Sequence, residues 1–256
     1  MQFAKVFWVR VLLVLSLFIS IDVLAADKTL RVGFNPLYKP IAYKENGELT
    51  GIEYAMARTV GDLLGMKVQF VELPTEDLIS ALVNDQIDVV MSGMSITENR
   101  KKLVSFTDSY MEVGQMAIIH ADKVVPLALP RAMYRPGMRV GVEPTTTGAD
   151  YARDFLSEAV VSFYDGQEAA FDALEKDLID YYIHDAPTSW NLSMGKQTDT
   201  FLPLYRMLTR EQLAWAVRKE DTMLLARLNG ALADMKASRT LNQILDYWLP
   251  VKVELE

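Results

Sequence analysis

The 256-residue chain contains no cysteine and only two histidines, His120 and His184. The absence of cysteine excludes disulfides, thiolate metal sites, a cysteine nucleophile and a lipid-modified cysteine. Two histidines without any cysteine do not make a convincing metal site, so we expect neither a metal nor a cofactor. Half of the residues are apolar, which is enough for one large α/β domain or for two smaller lobes.

The sequence also lacks an apolar run long enough to span a membrane. Its most apolar segment, Val11–Ile19, is about half of the roughly 20 residues that a spanning helix needs. Lys5 and Arg10 precede this segment and Val23-Leu24-Ala25 follows it, a pattern typical of a cleaved secretory signal peptide. We therefore expect residues 1–25 to be a signal peptide and the mature protein to be periplasmic, with a membrane anchor as the alternative.

Positive charge is in deficit. The chain carries a net charge of −8 at pH 7, and removal of residues 1–25, with Lys5, Arg10 and Asp22, would change it to −9. An acidic surface without lysine or arginine clusters argues against nucleic acid and anionic lipid as partners. Such a surface suits a soluble periplasmic protein that does not adhere to membranes.

Two short patterns occur twice in the chain, in the same order. Arg31-Val32-Gly33-Phe34-Asn35-Pro36 returns as Arg139-Val140-Gly141-Val142-Glu143-Pro144, each an apolar strand followed by a turn-forming proline. Ala81–Asp88 matches Ala173–Asp180 at a constant offset of 92, as a helix end that leads into a strand. The repetition predicts that one βα unit was used for both halves of the chain.

Between these patterns the periodicity alternates between helix and strand. It predicts helices over Gly51–Leu64 and Glu76–Val83 and strands over Lys67–Val71 and Ile87–Met91. Alternation of this kind predicts parallel sheets, in which ligands bind beyond the carboxyl ends of the strands. We expect an α/β fold whose cleft lies between two polar loops that follow equivalent strands, Ser92–Ser95 and His184–Pro187.

The C-terminal part of the chain belongs to neither repeat and is predicted to form two helices, Thr222–Met235 and Leu241–Trp248. We expect the chain to leave the first lobe near Glu112–Met116 and to return near Leu208–Leu213, so that two crossings form a hinge. The predicted limits are residues 26–113 and 212–256 for lobe 1 and residues 114–211 for lobe 2.

Several motifs follow one another in a fixed order: Ser92–Lys102 with Phe106–Tyr110, Val140-Gly141-Val142 before a run of threonines, Ile183–Pro187, and Ala216–Asp221. In this order they resemble the family 3 extracellular solute-binding proteins, the polar amino-acid receptors of ABC importers. The resemblance covers essentially the whole mature chain. It implies the type II periplasmic-binding-protein fold, two α/β lobes joined by a two-crossing hinge, and a small zwitterion, an amino acid, as the ligand.

The resemblance also implies a site for both charges of a zwitterion. In a closed cleft the ligand carboxylate needs a fixed cation and its ammonium a fixed anion, and Arg100 and Asp185 match the family's positions for these roles. A guanidinium can hold a carboxylate through two parallel hydrogen bonds, which lysine cannot do. By resemblance, the other contacts to the ligand backbone come from Gly93, Ser95, Thr146 and Thr147.

Specificity for the ligand side chain is assigned by resemblance to Asn35, Tyr38, Thr75 and Glu143. Tyr38 matches an aromatic residue that stacks on the ligand, whereas Thr75 leaves the opposite wall without one. Glu143 would suit a cationic or hydrogen-bond-donating group if it faces the cleft, and an exposed strand-end glutamate is the alternative. The family places glycine where this chain has Thr145, so the path of the carboxylate-binding loop from Pro144 to Thr147 is left open.

An enzyme is the alternative to a binding protein. Some proteins of this fold are cyclohexadienyl dehydratases, in which a cleft carboxylate protonates a leaving hydroxyl, and Glu143 or Asp185 could fill that role. However, Asp185 beside a ligand ammonium and across from Arg100 would stay ionised, which favours binding without chemistry. We therefore expect no catalytic residue and a monomeric receptor that serves an ABC permease or, as the alternative, a membrane sensor.

Overall fold

The computed structural model describes residues 28–127, 129–192, 200–204 and 206–249. The predicted signal peptide, residues 1–25, lies outside the described residues. Among the helices in the described ranges, none combines the length and the apolar character that crossing a membrane requires.

The described ranges contain strands in four sheets, with helices between them. The strands are β1 (Thr29–Phe34), β2 (Leu37–Tyr38), β3 (Ala42–Glu45), β4 (Glu48–Thr50), β5 (Lys67–Glu72), β6 (Val89–Val90), β7 (Ser105–Phe106), β8 (Met111–Val113), β9 (Gln115–His120), β10 (Arg139–Val142), β11 (Val160–Phe163), β12 (Tyr181–Asp185), β13 (Phe201–Leu204), β14 (Glu211–Leu213) and β15 (Ala216–Val217). The α-helices are α1 (Ile52–Leu64), α2 (Thr75–Val83), α3 (Glu98–Lys101), α4 (Val124–Leu127), α5 (Thr147–Phe155), α6 (Gln167–Glu175), α7 (Ala186–Leu192), α8 (Thr222–Ala237) and α9 (Thr240–Trp248), with 3₁₀ turns at Ala121–Lys123 and Pro130–Tyr134.

Lobe 1 is built on a sheet with the strand order β5-β1-β6-β15-β7. Strand β1 pairs in parallel with β5 and β6, and its side chains Leu30, Val32 and Phe34, which alternate onto one face, are buried. Helix α1 ends at Gly65, whose φ of 61° is the left-handed conformation common at helix C-termini. The small antiparallel sheet β2-β3-β4 follows β1 and carries Tyr38.

Lobe 2 repeats this plan in the strand order β11-β10-β12-β9-β13. Strand β10 pairs in parallel with β11 and β12, as β1 does with β5 and β6. The predicted repetition is therefore confirmed in the topology, because the strands that begin the two copies hold equivalent places in their sheets.

The prediction of parallel sheets is only partly correct, because both sheets are mixed. Strand β15 runs antiparallel to β6 and β7, and β9 runs antiparallel to β12 and β13. Both β9 and β15 are the first strands after a crossing between the lobes, so no crossover helix reorients the chain before they join a sheet. The antiparallel direction follows from this direct entry.

The two crossings lie side by side. Strand β8 leads into β9 of lobe 2, strand β14 leads into β15 of lobe 1, and β8 and β14 pair antiparallel, with Met111 opposite Leu213 and Val113 opposite Glu211. A two-crossing hinge of this kind lets the lobes move as units about a short pair of strands.

The C-terminal helices complete the core of lobe 1. Helices α8 and α9 differ from the predicted ranges by one or two residues at one end each and pack on each other and on α1. Leu228, Leu232 and Leu241 lie in the same apolar cluster as Met56 of α1 and Trp215, which stands between β14 and β15. The two C-terminal helices thus hold α1, which begins beside the cleft, in position.

Candidate functional site

All the site residues predicted from the sequence line one cavity between the lobes. The cavity has a volume of about 50 Å³, and its described lining is Asn35, Tyr38, Thr75, Leu78, Ser92, Gly93, Met94, Ser95, Arg100, Glu143, Thr146, Thr147, His184 and Asp185. The segments up to Arg100 belong to lobe 1 and those from Glu143 onward belong to lobe 2. Motifs far apart in the sequence therefore converge on one cleft.

The lobe 1 wall is the loop that follows β6. Gly93 has a φ of 65°, in the left-handed region that favours glycine. Its N–H donates to the Glu53 carboxylate (2.9 Å), which also accepts hydrogen bonds from the Tyr110 hydroxyl (2.7 Å) and the Trp215 indole (3.0 Å). Burial raises the pKa of Glu53 to about 7, against the opposing effect of these hydrogen bonds. Through these hydrogen bonds Glu53 connects the cleft loop to Tyr110, just before β8, and to Trp215, shortly after β14.

Arg100 lies in α3, a single helical turn whose first N–H groups are capped by Thr97. The Arg100 N–H donates to the Thr97 hydroxyl (3.2 Å). Its guanidinium donates to the carbonyl of Ser95 (2.9 Å) and, across the cleft, to the carbonyl of Thr145 (3.1 Å). Burial lowers the pKa of Arg100, and the Asp185 carboxylate opposes this shift. The guanidinium therefore joins the two lobes at the cavity.

Asp185 is the last residue of β12. Its carboxylate accepts hydrogen bonds from the Tyr38 hydroxyl of lobe 1 (2.6 Å) and from the Gln115 side-chain amide. Burial raises the pKa of Asp185, and the neighbouring His184 opposes the rise. The Tyr38 ring stands edge-on to the His184 ring with centroids 4.8 Å apart. Since a carboxylate has about four acceptor positions, Asp185 can also accept from a ligand ammonium.

The two predicted threonines use their hydroxyl groups differently. The Thr146 hydroxyl caps α5, because it accepts from the Ala149 N–H (3.2 Å) and donates to a backbone carbonyl (2.7 Å). The Thr147 hydroxyl donates to the Glu211 carboxylate (2.8 Å) and accepts from the Gln115 amide (2.9 Å). The first hydroxyl stabilises the helix start, whereas the second belongs to the polar floor of the cleft.

Glu143 lines the cavity and is only 8% exposed, so the alternative of an exposed strand-end glutamate is wrong. Its carboxylate accepts a hydrogen bond from the Tyr182 hydroxyl (2.5 Å) and lies 3.2 Å from Nε2 of His184. Burial alone would raise the pKa of Glu143, but His184 and Tyr182 hold it below its ordinary value. Burial lowers the pKa of His184, but Glu143 raises it overall. The charge of Glu143 is therefore largely compensated within lobe 2.

Asn35 and Thr75 stand where the cavity opens outward. The Asn35 side-chain amide donates to the Thr75 hydroxyl (2.7 Å). Beyond them lies a groove of about 410 Å³ between the lobes, which shares Asn35, Thr75 and Glu143 with the inner cavity. The described lining of the groove contains no lysine or arginine, and its further acidic residues are Glu72, Glu76 and Asp165. The small inner cavity thus continues into an acidic groove.

Sequence reasoning does not identify Glu53, Gln115, Tyr182 and Glu211 as parts of the site. Gln115 and Glu211 both contact the Thr147 hydroxyl. Both also fall within the segments predicted as lobe crossings, and hinge strands run beneath the cleft of a two-lobed protein. Polar residues in the predicted crossings were therefore the available signal.

The cavity provides fixed groups of both charges, one from each lobe, and each already contacts the opposite lobe. Together with two α/β lobes and a two-stranded hinge, this defines a binding protein that closes around a small ligand. Residues 30–251 match the model of the bacterial extracellular solute-binding proteins, family 3. The chain belongs to this family.

Relatives with known names agree with this assignment. The chain is 31% identical to ABC transporter arginine-binding protein 1 of Escherichia coli K12 over 88% of this chain and 92% of the relative. It is 27% identical to the histidine-binding periplasmic protein of the same organism, over 86% of this chain and 87% of the relative.

Solved structures show the same likeness. A putative binding component of an ABC transporter from Wolinella succinogenes, complexed with lysine, superimposes with a TM-score of 0.82 at 26% identity, covering 88% of this chain and 97% of that one. An ancestral amino acid-binding protein, described as a precursor of cyclohexadienyl dehydratase, gives a TM-score of 0.80 at 32% identity, covering 86% of this chain and 95% of that one. These relatives are named for binding, which supports a binding protein over an enzyme.

Proposed function

We propose that the protein captures an amino acid in the periplasm and delivers it to an ABC importer. The observation that carries the proposal is that Arg100 of lobe 1 and Asp185 of lobe 2 line the same cavity. The carboxylate and ammonium of an amino acid lie on one carbon, so they can reach both groups only when the lobes are closed. Binding and closure are then coupled, and the importer can distinguish the loaded protein by its closed form.

Within this class, the charges favour a cationic side chain. The groove outside the inner cavity is lined by Glu76 and Asp165 and by Glu72, whose carboxylate is paired with Lys44 (2.7 Å). A positive side chain that leaves the inner cavity past Asn35 and Thr75 would enter this groove. The relatives named for arginine and histidine and the neighbour complexed with lysine support the same ligand class.

The remaining expectations belong to the same proposal. The mature protein would begin after residue 25 and act as a monomer in the periplasm. Its lobes would comprise residues 26–113 with 212–256 and residues 114–211. The ligand would contact one lobe first, and the second would close over it. A membrane sensor in place of the importer would use the same closed surface.

The test is isothermal titration of the mature chain with arginine, lysine, histidine and the other amino acids, beside the variant Arg100→Ala. We expect at least one cationic amino acid to bind, and Arg100→Ala to weaken it by about 100-fold, because a buried charge-assisted contact is worth roughly 2–5 kcal/mol. The matched control is Arg58→Ala, which removes an exposed arginine of α1.

Two outcomes would contradict the proposal. One is the absence of binding to every amino acid while prephenate or arogenate is turned over, which would establish the dehydratase alternative. The other is amino-acid binding that is equally tight in the wild type and in Arg100→Ala, which would remove Arg100 from the site.

A further inference from the structure

Glu211 is the first residue of hinge strand β14, and its carboxylate reaches the polar floor of the cleft. One oxygen, Oε2, accepts hydrogen bonds from the Ser95 hydroxyl of lobe 1 (2.6 Å) and the Thr147 hydroxyl of lobe 2 (2.8 Å). The other oxygen, Oε1, accepts from the Thr209 hydroxyl (2.5 Å). A single carboxylate is thus bound by both lobes and by Thr209, which lies just before its own strand.

The position of this carboxylate is fixed by the hinge. The Thr209 hydroxyl that donates to Glu211 also accepts from the N–H of Gln115, the first residue of β9 after the first crossing (2.8 Å). The Gln115 amide in turn donates to the Thr147 hydroxyl and to Asp185. Glu211 therefore belongs to one hydrogen-bond network with the ammonium-binding carboxylate.

Ser95 and Thr147 are two of the residues that the family resemblance assigns to the ligand backbone. Each hydroxyl carries one hydrogen and can donate only one hydrogen bond at a time. In the structure both hydrogens are directed to Glu211. A ligand carboxylate that uses these donors must first replace Glu211 as their acceptor.

We propose that Glu211 is a resident carboxylate that competes with the ligand's α-carboxylate for Ser95 and Thr147, and thereby sets how strongly the site distinguishes an amino acid from the corresponding amine. The inference rests on the proposed amino-acid function. An amine that lacks the carboxylate leaves both hydrogen bonds of Glu211 in place, and its ammonium group is attracted by the nearby negative charge of Glu211. An amino acid has to break those hydrogen bonds and to bring a second carboxylate close to the first.

The two ligand classes must then respond in opposite directions to loss of this carboxylate. The experiment compares arginine with agmatine, lysine with cadaverine and histidine with histamine by titration calorimetry, on the wild type and on Glu211→Gln. We expect Glu211→Gln to bind the preferred amino acid about tenfold more tightly and its amine about tenfold more weakly, since one charge-assisted interaction corresponds to roughly this factor.

Two further variants make the measurement specific. Glu112→Gln removes the same charge from an exposed position of β8, the strand that pairs with β14, and we expect it to change neither affinity. Glu211→Asp keeps the charge but shortens its reach to Ser95, so the amino acid should gain affinity while the amine changes by less than about twofold. This variant serves if Glu211→Gln does not fold.

The outcomes separate this inference from the proposed function. Suppose that the wild type binds a cationic amino acid, but that Glu211→Gln changes the affinities for the amino acid and the amine in the same direction or leaves both unchanged. The proposed competition is then overturned and the receptor function stands. If the wild type binds neither amino acids nor amines, the proposed function fails, and the inference fails with it.

Discussion

The repeated βα units of the two lobes contain the same cluster of one arginine and two aspartates, which we call a latch. The two latches differ in the second cation that contacts them. In lobe 1 the Arg31 N–H and guanidinium bind both oxygens of Asp88 (2.6–3.1 Å), and the guanidinium also binds the side chain and carbonyl of Asp85 (2.7 and 2.5 Å). Asp85 accommodates this geometry at a φ of 58°. These three residues form the lobe 1 latch.

The lobe 2 latch consists of Arg139, Asp177 and Asp180 with the same atoms in the same roles. The Arg139 N–H and guanidinium bind Asp180 (2.6–3.2 Å), the guanidinium binds the Asp177 side chain (2.7 Å) and carbonyl, and Asp177 has a φ of 54°. In both latches these contacts raise the pKa of the arginine above its ordinary value. The repeat therefore preserves a complete polar arrangement as well as the backbone.

The lobes differ in the second cation that contacts each latch. In lobe 1 it is Arg218, which follows β15 and binds Asp85 (3.1 Å), Asp88 (3.4 Å) and Asp221 (2.6 Å). In lobe 2 it is Lys123, which follows β9 and binds its two aspartates at 2.9 and 3.5 Å. The Arg218 side chain is 13% exposed and the Lys123 side chain 30%. In each lobe the second cation follows the first strand after a crossing, which is β15 in lobe 1 and β9 in lobe 2. Lobe 1 buries this cation more deeply.

The largest effect that tests this difference is expected from Arg218→Met. Arg218 also donates to the carbonyl of Ile87 (2.6 Å), which loses this donor in the variant, and to that of Leu82 (3.4 Å), which also accepts from the N–H of Asp85 (3.2 Å). We expect the free energy of unfolding to fall by about 2 kcal/mol, between the values for exposed and for fully buried ion pairs, because Arg218 is partly buried and Asp88 keeps its contacts with Arg31. Lys123→Met is the matched change in lobe 2 and should cost less than about 1 kcal/mol. Urea denaturation of both variants makes the comparison, and equal losses would contradict it.

A second contrast concerns the buried carboxylate that each lobe places at the cleft. Glu53 of lobe 1 is bound by neutral donors, and burial raises its pKa to about 7 from 4.5. Folding therefore favours the protonated form, so stability is greater at acidic pH and declines as the pH rises through about 7. Glu143 of lobe 2 lies beside His184 and has a lowered pKa, so its contribution is present above 4.5 and declines as the pH falls below that value.

The prediction for Glu53 is a change in pH dependence. Between about pH 7.5 and about pH 5.5, the wild type should gain about 2 kcal/mol relative to Glu53→Gln, because the variant has no proton to bind. Denaturant titrations at several pH values measure this difference. Glu48→Gln, at an exposed position of β4, is the control and should follow the wild type. A constant difference between wild type and Glu53→Gln would show that Glu53 has an ordinary pKa.

The same comparison shows which part of the fold is predictable from the sequence. Both latches lie inside the repeated segments Arg31–Pro36, Ala81–Asp88 and their copies, so the repetition was visible as local patterns. The antiparallel direction of β9 and β15 was not, because it depends on how the chain enters each sheet after crossing between lobes. The division of the chain between lobes at residues 113/114 and 211/212 stays a prediction.

The candidate site likewise contains some residues that a local motif identifies and others that no local pattern marks. Residues such as Gly93, Ser95 and Arg100 lie within one contiguous motif, so their convergence on the cavity could be expected. Glu211 contacts Ser95 across 116 positions of sequence, and no local pattern marks it. The hydrogen bonds of Glu53 to residues on both sides of the hinge are likewise set by packing. The roles of the site residues in ligand binding stay predictions, which the titrations test.

The smallest expected effect comes from the two cleft loops that meet at Arg100. Lobe 1 uses Gly93 at a φ of 65°, whereas lobe 2 uses Thr145 at a φ of 59°. A β-branched residue is strained in this left-handed region, and glycine is not. We expect Thr145→Gly to raise the free energy of unfolding by about 0.5–1 kcal/mol, the surplus of relieved strain over the greater freedom of glycine in the unfolded chain. Thr145→Ala keeps a Cβ at this φ and should gain less, and thermal denaturation of both variants measures the difference; a loss of stability in Thr145→Gly would mean that the threonine side chain stabilises the loop by more than its strain.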